Sequence, residues 1–378
     1  MSFEFTEEQE LLQSAVREFA KNEVEPLAVK LDRDGIFPAE TMRKLAELDL
    51  TGIPYPIEYG GAGADYVSYA LVIEELAKAC ASTAVVLAVH TLAAAPIMQF
   101  GTSEQKKKFL PMLTEYKVLG AFALTEAGAG TDAGALTTTA TLDGDYYVIN
   151  GAKTFITNGD EAGLVILMAK TGPGEGTKGI SAFIVEKSVS DFAVGQHEDK
   201  MGMRGSHTTE IIFKNCRVPK ENLLGTIGGG FKIAMATLDG GRIAIGAQAL
   251  GIAQTCLDEA VRYAKERKQF GRPIAANQAI QWMIADMAKD VMAARLLVYN
   301  AASLRDKGKS YSMEAAIAKL FASETAMHHA VKAVQIQGGY GYTKGSKVER
   351  LMRDAKVTEI YEGTSEVQRM VIAGIALR

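Results

Sequence analysis

The apolar residues of this 378-residue chain change their spacing twice, and no single regular fold accommodates both periods. From Thr6 to about Ala28, Leu11, Leu12, Ala15, Val16, Phe19 and Ala20 recur at helical spacing, with Thr6 placed as a cap and Pro26 near the exit. A second helix is expected over 38–48, where Pro38 suits a first turn. The stretch 53–66, IPYPIEYGGAGADY, is too dense in Pro and Gly for either period. Helices follow at roughly 66–79 and 82–99, with a short one over EQKKKFLPML. At Gly120 alternation takes over: AFALTE, TTTATLDGDYYVING, KTFITNG, LVILMAK, ISAFIVEK and TEIIFKNCRV are short β runs divided by turns such as Asn158-Gly159. GTIGGGFK forms a junction expected to be flexible, and from Phe231 the helical period returns over about 231–266, 277–305, 312–337 and from Ser365. The pattern predicts an α+β multidomain chain, mainly α. Its parts are an all-helical domain (1–120), an antiparallel β-barrel or sandwich (121–225) and a C-terminal four-helix bundle (226–378).

Charge and cysteine usage narrow the function classes. A net charge of -4 and a pI near 5.9 offer no basic footprint for nucleic acid. Cys80, Cys216 and Cys256 are odd in number and widely spaced, which fits buried thiols in a reducing compartment. The first residues enter an acidic helix without a basic start or an apolar signal core, and the most apolar run, Ala84 to Met98, reads as too short to span a bilayer. These features lead us to expect a cytoplasmic chain with no membrane partner.

Five stretches carry chemistry. In QIQGGYGYTKGSKVERLMRDAKVTEIYEGTSEVQR (335–369), Gly338, Gly339 and Gly341 end a helical run and let the backbone lie close against another body. One carboxylate, Glu362, then sits between Tyr361 and a glycine. Hemmed by Ile360 and Tyr361, it would lose water and gain a pKa suited to a general base or acid; a surface glutamate at a glycine-capped boundary fits the same letters. LTEAGAGTDAGA (124–135) lacks the spacing of a dinucleotide fingerprint and the Gly-Lys-Ser/Thr of a P-loop. Its amides and hydroxyls suit a phosphate, or an ordinary hairpin turn. KTFITNG (153–159) sets Phe155 and Thr157 on one side of a strand, able to flank a planar ring or to bury the Phe in a core. LDGGRIAIG places Arg242 on an apolar helix with Asp239 three residues earlier as its partner. AKERKQFGRPIAANQ offers Arg267, Phe270 and Gln278 for a pyrophosphate and adenine, or a solvated charge cluster. His90, His197, His207, His328 and His329 make no metal-ligand spacing and read as structural, and no Gly-x-Ser-x-Gly elbow marks an esterase.

QxxGGxGY, ERxxRDAK and IYEGTSExQ together resemble the C-terminal signature of the acyl-CoA dehydrogenase family, and LTEAGAGTDAGA resembles that family's other signature. The order of helices, β domain and helical bundle is also the family's. The resemblance implies FAD-dependent oxidation of an acyl-CoA thioester to the trans-2-enoyl-CoA. Glu362 would take the α-proton, its own N–H and a ribityl hydroxyl would form the oxyanion hole, and the β-hydrogen would leave as hydride to flavin N5. It implies that Phe122, Leu124, Thr125, Gly130, Thr131, Phe155, Ile156 and Thr157 hold FAD, with Phe155 where many members have Trp. Arg267, Phe270 and Gln278 would reach across a subunit interface to the neighbour's FAD, Gln335, Gly338 and Gly339 would meet the same cofactor from the other side, and Thr364 and Glu366 would complete that site. Thr131, Asp239, Arg242, Tyr361 and Gly363 are implied on the substrate side, with no metal. Some members carry the base at the position of Gly241; glycine there leaves the role to Glu362 and points to short chains such as butyryl-CoA. The implied partners are an electron-transferring flavoprotein and further copies of the chain, as a homotetramer built from two dimers. The competing readings are an enoyl-CoA reductase running the reverse direction, an acyl-CoA oxidase and a non-catalytic CoA- or flavin-binding scaffold.

Overall fold

The computed structural model describes residues 4–172 and 176–378. Helix α1 (Glu7–Phe19) opens on a capping box in which the Thr6 side chain and Gln9 satisfy each other's backbone amides. Pro26 does not end the helical segment. A five-residue π turn, Ala20–Val24, widens the coil, and α2 (Glu25–Asp34) continues with Pro26 in its first turn, where no N–H is required of it. Helices α3 (Ala39–Glu47), α4 (Tyr66–Ala79), α5 (Ala81–Phe100) and α6 (Ser103–Thr114) complete the first part.

Helix α5 corrects one expectation. It runs for 20 residues through His90 and Pro96, long and apolar enough to cross a membrane, yet 94% of its most apolar 18-residue stretch is buried inside the protein. His90 costs the core nothing because both ring nitrogens are used: Nε2 donates to Leu113 O at 2.9 Å, and Nδ1 accepts from Gly120 N–H at 3.0 Å. Burial holds this imidazole neutral, with its pKa lowered to about 4.

The strands of the main sheet are β1 (Leu119–Ala123), β2 (Thr139–Asp143), β3 (Tyr146–Thr157), β4 (Ala162–Lys170), β5 (Ile180–Glu186), β6 (Ala193–His197), β7 (Thr208–Pro219) and β8 (Leu223–Leu224). Their order is β6-β7-β3-β2-β4-β5-β8, with β1 added beside β4. Pairing is antiparallel except for β1 along β4 and a single β2–β4 contact at Thr139 and Lys170. Strand β4 is apolar up to its final residue, Lys170, because both of its faces are covered. Leu164, Ile166 and Met168 pack with Ile97, Phe109 and Ile233 from the helices, while Val165, Leu167 and Ala169 pack with Phe183 and Phe213 inside the sheet.

The last part comprises α7 (Gly230–Glu266), α8 (Gln278–Asp306), α9 (Ser312–Gln337), the single turn α10 (Gly339–Tyr342), α11 (Lys347–Thr358) and α12 (Ser365–Ala376). The junction expected to be flexible is exposed over 225–227 and packed at its far end, where a Cβ on Gly230 would stand 2.4 Å from the Ser181 carbonyl carbon and Gly228 N–H donates to Ser181 Oγ at 2.9 Å. Helix α11 adds an element that the sequence reading passed over. Its buried residues Val348, Leu351 and Ala355 keep helical spacing within a run of charges.

Candidate active site

Glu362 lies in the turn between α11 and α12, in the left-handed region at φ 54, followed by Gly363 at φ 93. Such a conformation in a non-glycine residue persists only when its surroundings over-determine it. They do so here from several elements. Lys319 on α9 donates from Nζ to Gly363 O at 2.7 Å. Gln368 on α12 donates from Nε2 to the same oxygen at 2.9 Å and to Glu362 O at 3.1 Å. The Tyr361 hydroxyl donates to Gln248 Oε1 on α7, and the Gln248 amide nitrogen donates to Ala81 O at 2.8 Å. Thr364 caps α12 by accepting from Val367 N–H, and Glu366 sits exposed in that helix's first turn.

The Glu362 carboxyl points inward. Its Oε2 is buried with no hydrogen-bond partner among the described residues. Gly241 on α7 faces it: a Cβ there would stand 2.8 Å from Oε2 and 3.2 Å from Leu92 Cδ1 on α5. Ile360, expected to help desolvate the carboxyl, is exposed instead; the carboxyl lies against Gly241 of α7, with Leu92 of α5 beside the same glycine. Burial raises the Glu362 pKa to about 7, against the pull of Arg242 and Lys319. Arg242 is buried, donates from Nη1 to Asp239 Oδ1 at 2.5 Å and keeps its Nε unpartnered. Asp239 also accepts from Ser312 Oγ at 2.5 Å. The expected Asp239–Arg242 pair is therefore present, and it leaves a free donor edge.

A second group of predicted residues gathers around the start of the β domain. Phe155 does not simply alternate with Thr157: the β3–β7 register shifts between Lys153 and Ile156, and Phe155 takes φ 56. This places Ile156 in the core and leaves the Phe155 ring 61% exposed. Glu126, unassigned from the sequence, organises the neighbouring turn. Its carboxylate accepts from Thr137 N–H at 2.6 Å, Thr138 N–H at 2.9 Å and the buried Lys153 Nζ at 2.8 Å. Burial raises its pKa, but Lys153 and the threonines outweigh this and hold the group at about 2. Lys153 also donates to Leu124 O at 3.0 Å, and Thr154 N–H donates to Thr125 O at 2.9 Å. Beyond this clamp the turn is open. Gly130 has nothing within 4 Å of where a Cβ would be, Thr131 is exposed, and Phe122 and Thr125 are half-buried.

A third group is divided. Arg267, Gly338 and Gly339 line one cleft of about 490 Å³ with Tyr263, Gln269 and Tyr340. Gly338 has φ 60 and ψ -137, which glycine alone adopts readily. Gln335 is exposed one turn earlier on α9, Gln278 is exposed at the start of α8, and Phe270 is 99% exposed at φ 51; none of the three lines that cleft. An uncovered strained aromatic, an open amide-rich turn and a cation beside bare glycine backbone fit a planar ring carrying a pyrophosphate.

The histidines behave differently from the sequence reading in one place. His207 Nδ1 lies 2.5 Å from Asp160 Oδ2, its Nε2 lies 3.1 Å from Gly35 O, and His197 Nε2 lies 3.8 Å from the same carboxylate. Distant numbering hid this convergence, which ties the β domain to the end of α2.

Comparison with known proteins agrees with this geometry. Models of the acyl-CoA dehydrogenase N-terminal, middle and C-terminal domains match residues 6–117, 121–216 and 228–377. The chain is 53% identical to the short-chain specific acyl-CoA dehydrogenase of Clostridium acetobutylicum, with 100% of both chains covered. It superposes on butyryl-CoA dehydrogenase of Megasphaera elsdenii with TM-score 0.98 and 48% identity over 100% of both chains. It also superposes, with TM-score 0.98, 51% identity and 100% of both chains covered, on a chain from the study "Electron transferring flavoprotein of Acidaminococcus fermentans: Towards a mechanism of flavin-based electron bifurcation".

Proposed function

The chain belongs to the acyl-CoA dehydrogenase family, and from that premise we propose that Glu362 is the base in FAD-dependent α,β-dehydrogenation of a short-chain acyl-CoA, of the butyryl-CoA type, to the trans-2-enoyl-CoA. The observation that carries the assignment is the buried, unpartnered Glu362 Oε2 facing Gly241 and Leu92. A carboxyl deprived of water but not of access is basic enough near neutrality to take a weakly acidic α-proton. The Glu362 N–H, engaged by no acceptor among the described residues, is available to the thioester oxygen, where charge develops as that proton leaves. FAD, when bound, supplies the acceptor for the β-hydride. Arg242, fixed by Asp239, adds positive charge beside the base, Tyr361 and Gly363 frame the acyl group, and Thr131 lies near the phosphates of FAD and of the thioester.

We assign Phe122, Leu124, Thr125, Gly130, Thr131, Phe155, Ile156 and Thr157 to the cofactor in one subunit. Arg267, Phe270, Gln278, Gln335, Gly338 and Gly339 would meet it from a neighbouring subunit, with Thr364 and Glu366 beside the turn. The exposure of Phe270 and of Trp282 (62%) supports a partner copy that covers them, and a homotetramer is the expected assembly. Three buried free cysteines support a reducing, cytoplasmic setting. An electron-transferring flavoprotein is the proposed electron partner. Similarity to a chain from a study of electron bifurcation favours one second reading, the same chemistry run as enoyl-CoA reduction.

The test is the visible spectrum of the anaerobic protein before and after butyryl-CoA. Bleaching of a yellow protein supports the reading, provided that Glu362→Gln binds the thioester yet stays oxidised. Bleaching by that variant at the native rate removes Glu362 as base, and a protein that cannot be reconstituted with FAD leaves only a scaffold.

A further inference from the structure

Lys319 is 0% exposed in the middle of α9. Burying an ammonium costs several kcal/mol unless it is paired. Yet no carboxylate lies within ion-pair distance of Lys319 among the described residues, and its one hydrogen bond there is the 2.7 Å contact to Gly363 O. A methionine would fill the same space between α9 and the turn without that cost. The charge is thus kept beside one peptide, the one that follows Glu362.

We propose that Lys319 is a positioning residue for the reaction, locking the Glu362–Gly363 peptide in its left-handed turn and holding the Glu362 carboxyl in the ionised form that accepts the α-proton. The inference rests on the assignment of Glu362 as base.

Two observations support a joint role. Gln368 already bonds Gly363 O and Glu362 O from α12, so the turn has a neutral anchor, and a second, charged one adds field as well as grip. The groups around the pair are few. Arg242 and Asp239 come from α7, Glu359 follows α11, Glu366 lies in α12, Tyr361 precedes the base, and α5 contributes apolar Leu92. Arg242 exerts the larger pull on Glu362 but shares its charge with Asp239, and Lys319 is the second cation acting on that carboxyl, with no carboxylate of its own in ion-pair contact among the described residues. Burial lowers the Lys319 pKa to about 8 and raises that of Glu362 to about 7, so between those values Lys319 keeps its proton while Glu362 is ionised.

Removing the charge should move the titration of Glu362 upward. The test compares Lys319→Met, Lys319→Gln and Lys319→Arg as holoenzymes. Two readouts are followed from pH 6 to 9.5: the flavin bleaching rate with butyryl-CoA, and the carboxylic-acid stretch of Glu362 in infrared difference spectra, identified by its loss in Glu362→Gln. Lys319→Met is expected to slow bleaching about 10-fold below neutrality, to recover toward the native rate at high pH, and to shift the infrared titration up by about one unit, a tenfold change in the ionised fraction. Lys319→Gln can still donate to Gly363 O and should show the same shift, while Lys319→Arg should largely restore the native profile. A loss of equal size at every pH, with the infrared titration unmoved, overturns the proposal and leaves Lys319 as a packing residue. If Lys319→Met fails to fold, Lys319→Gln carries the same decision. Bleaching by Glu362→Gln would instead remove the premise, a failure separate from that of Lys319.

Discussion

Glu362 and Gly241 are complementary by volume. The carboxyl Oε2 occupies space that any side chain at 241 would enter, since a Cβ there would lie 2.8 Å from it. Glycine in the middle of a 37-residue helix weakens that helix, and the structure shows what the weakness makes room for.

Gly241→Ala should therefore separate stability from activity. The substitution adds about 0.5–1 kcal/mol of helix preference. It also displaces the carboxyl by a fraction of an ångström to an ångström, enough to cost about 100-fold in kcat. The expected result is an unchanged or raised Tm with native FAD content and a turnover reduced about 100-fold. Native turnover would mean that the carboxyl does not work from the position seen here.

Glu362 also sets a pH dependence of stability. Its folded pKa of about 7 lies above the unfolded carboxyl value, so its contribution is intact below about pH 4.5 and is lost as pH rises through 7. Glu362→Gln mimics the protonated form and escapes that loss. Without acyl-CoA, the variant should exceed the native protein by up to about 3 kcal/mol at pH 8, with the two converging near pH 4.5. Denaturant midpoints at both pH values measure this, and a constant difference would show that ionisation is not its source.

The large-scale order of the chain was legible because period 2 and period 3.6 cannot be confused over whole domains. IYEGTSE left Glu362 open between a desolvated acid and a surface glutamate until the family resemblance of the whole stretch singled it out. What surrounds Glu362 was less legible. Lys319 lies 43 residues away in AKLFASE, where a lysine on a helix reads as solvated until α9 is packed against the turn. Leu92 comes from a further helix with nothing local to link it to a carboxylate, and Gly241 was tied to Glu362 only through the family resemblance. The bulge and the left-handed turn at Phe155 are likewise a property of the β3–β7 pairing, which strand alternation alone does not show. Pro26 misled for a related reason: a π turn shifts the register so that the proline begins a helical segment.

Phe155→Gly tests whether that bulge exists for a ligand. In the apo protein the change removes an exposed apolar ring and relieves a left-handed conformation worth about 1–2 kcal/mol in a non-glycine residue. Apo stability should hold or rise. Loss of ring contact should weaken FAD by about 10- to 100-fold, the scale of one buried aromatic side chain. Equilibrium titration of apoprotein with FAD measures it, and unchanged affinity would place the flavin elsewhere.

The Lys153–Glu126 pair should hold the cofactor turn rather than the fold at large. Lys153→Met leaves a buried carboxylate with only Thr137 and Thr138 as donors, and removal of one partner from such a pair costs about 3–5 kcal/mol. The sign of the pH effect follows from Glu126, whose folded pKa of about 2 lies below the usual value. Its stabilising contribution is present above about pH 4.5 and fades as pH falls toward 2. The native protein therefore has more to lose in acid than the variant, and the gap between their denaturation midpoints should narrow from pH 7.5 to pH 3. Because Thr125 hangs from Thr154, next to Lys153, loosening this clamp should also speed FAD release. A variant that unfolds earlier yet releases FAD at the native rate would show that the pair supports the sheet and not the turn.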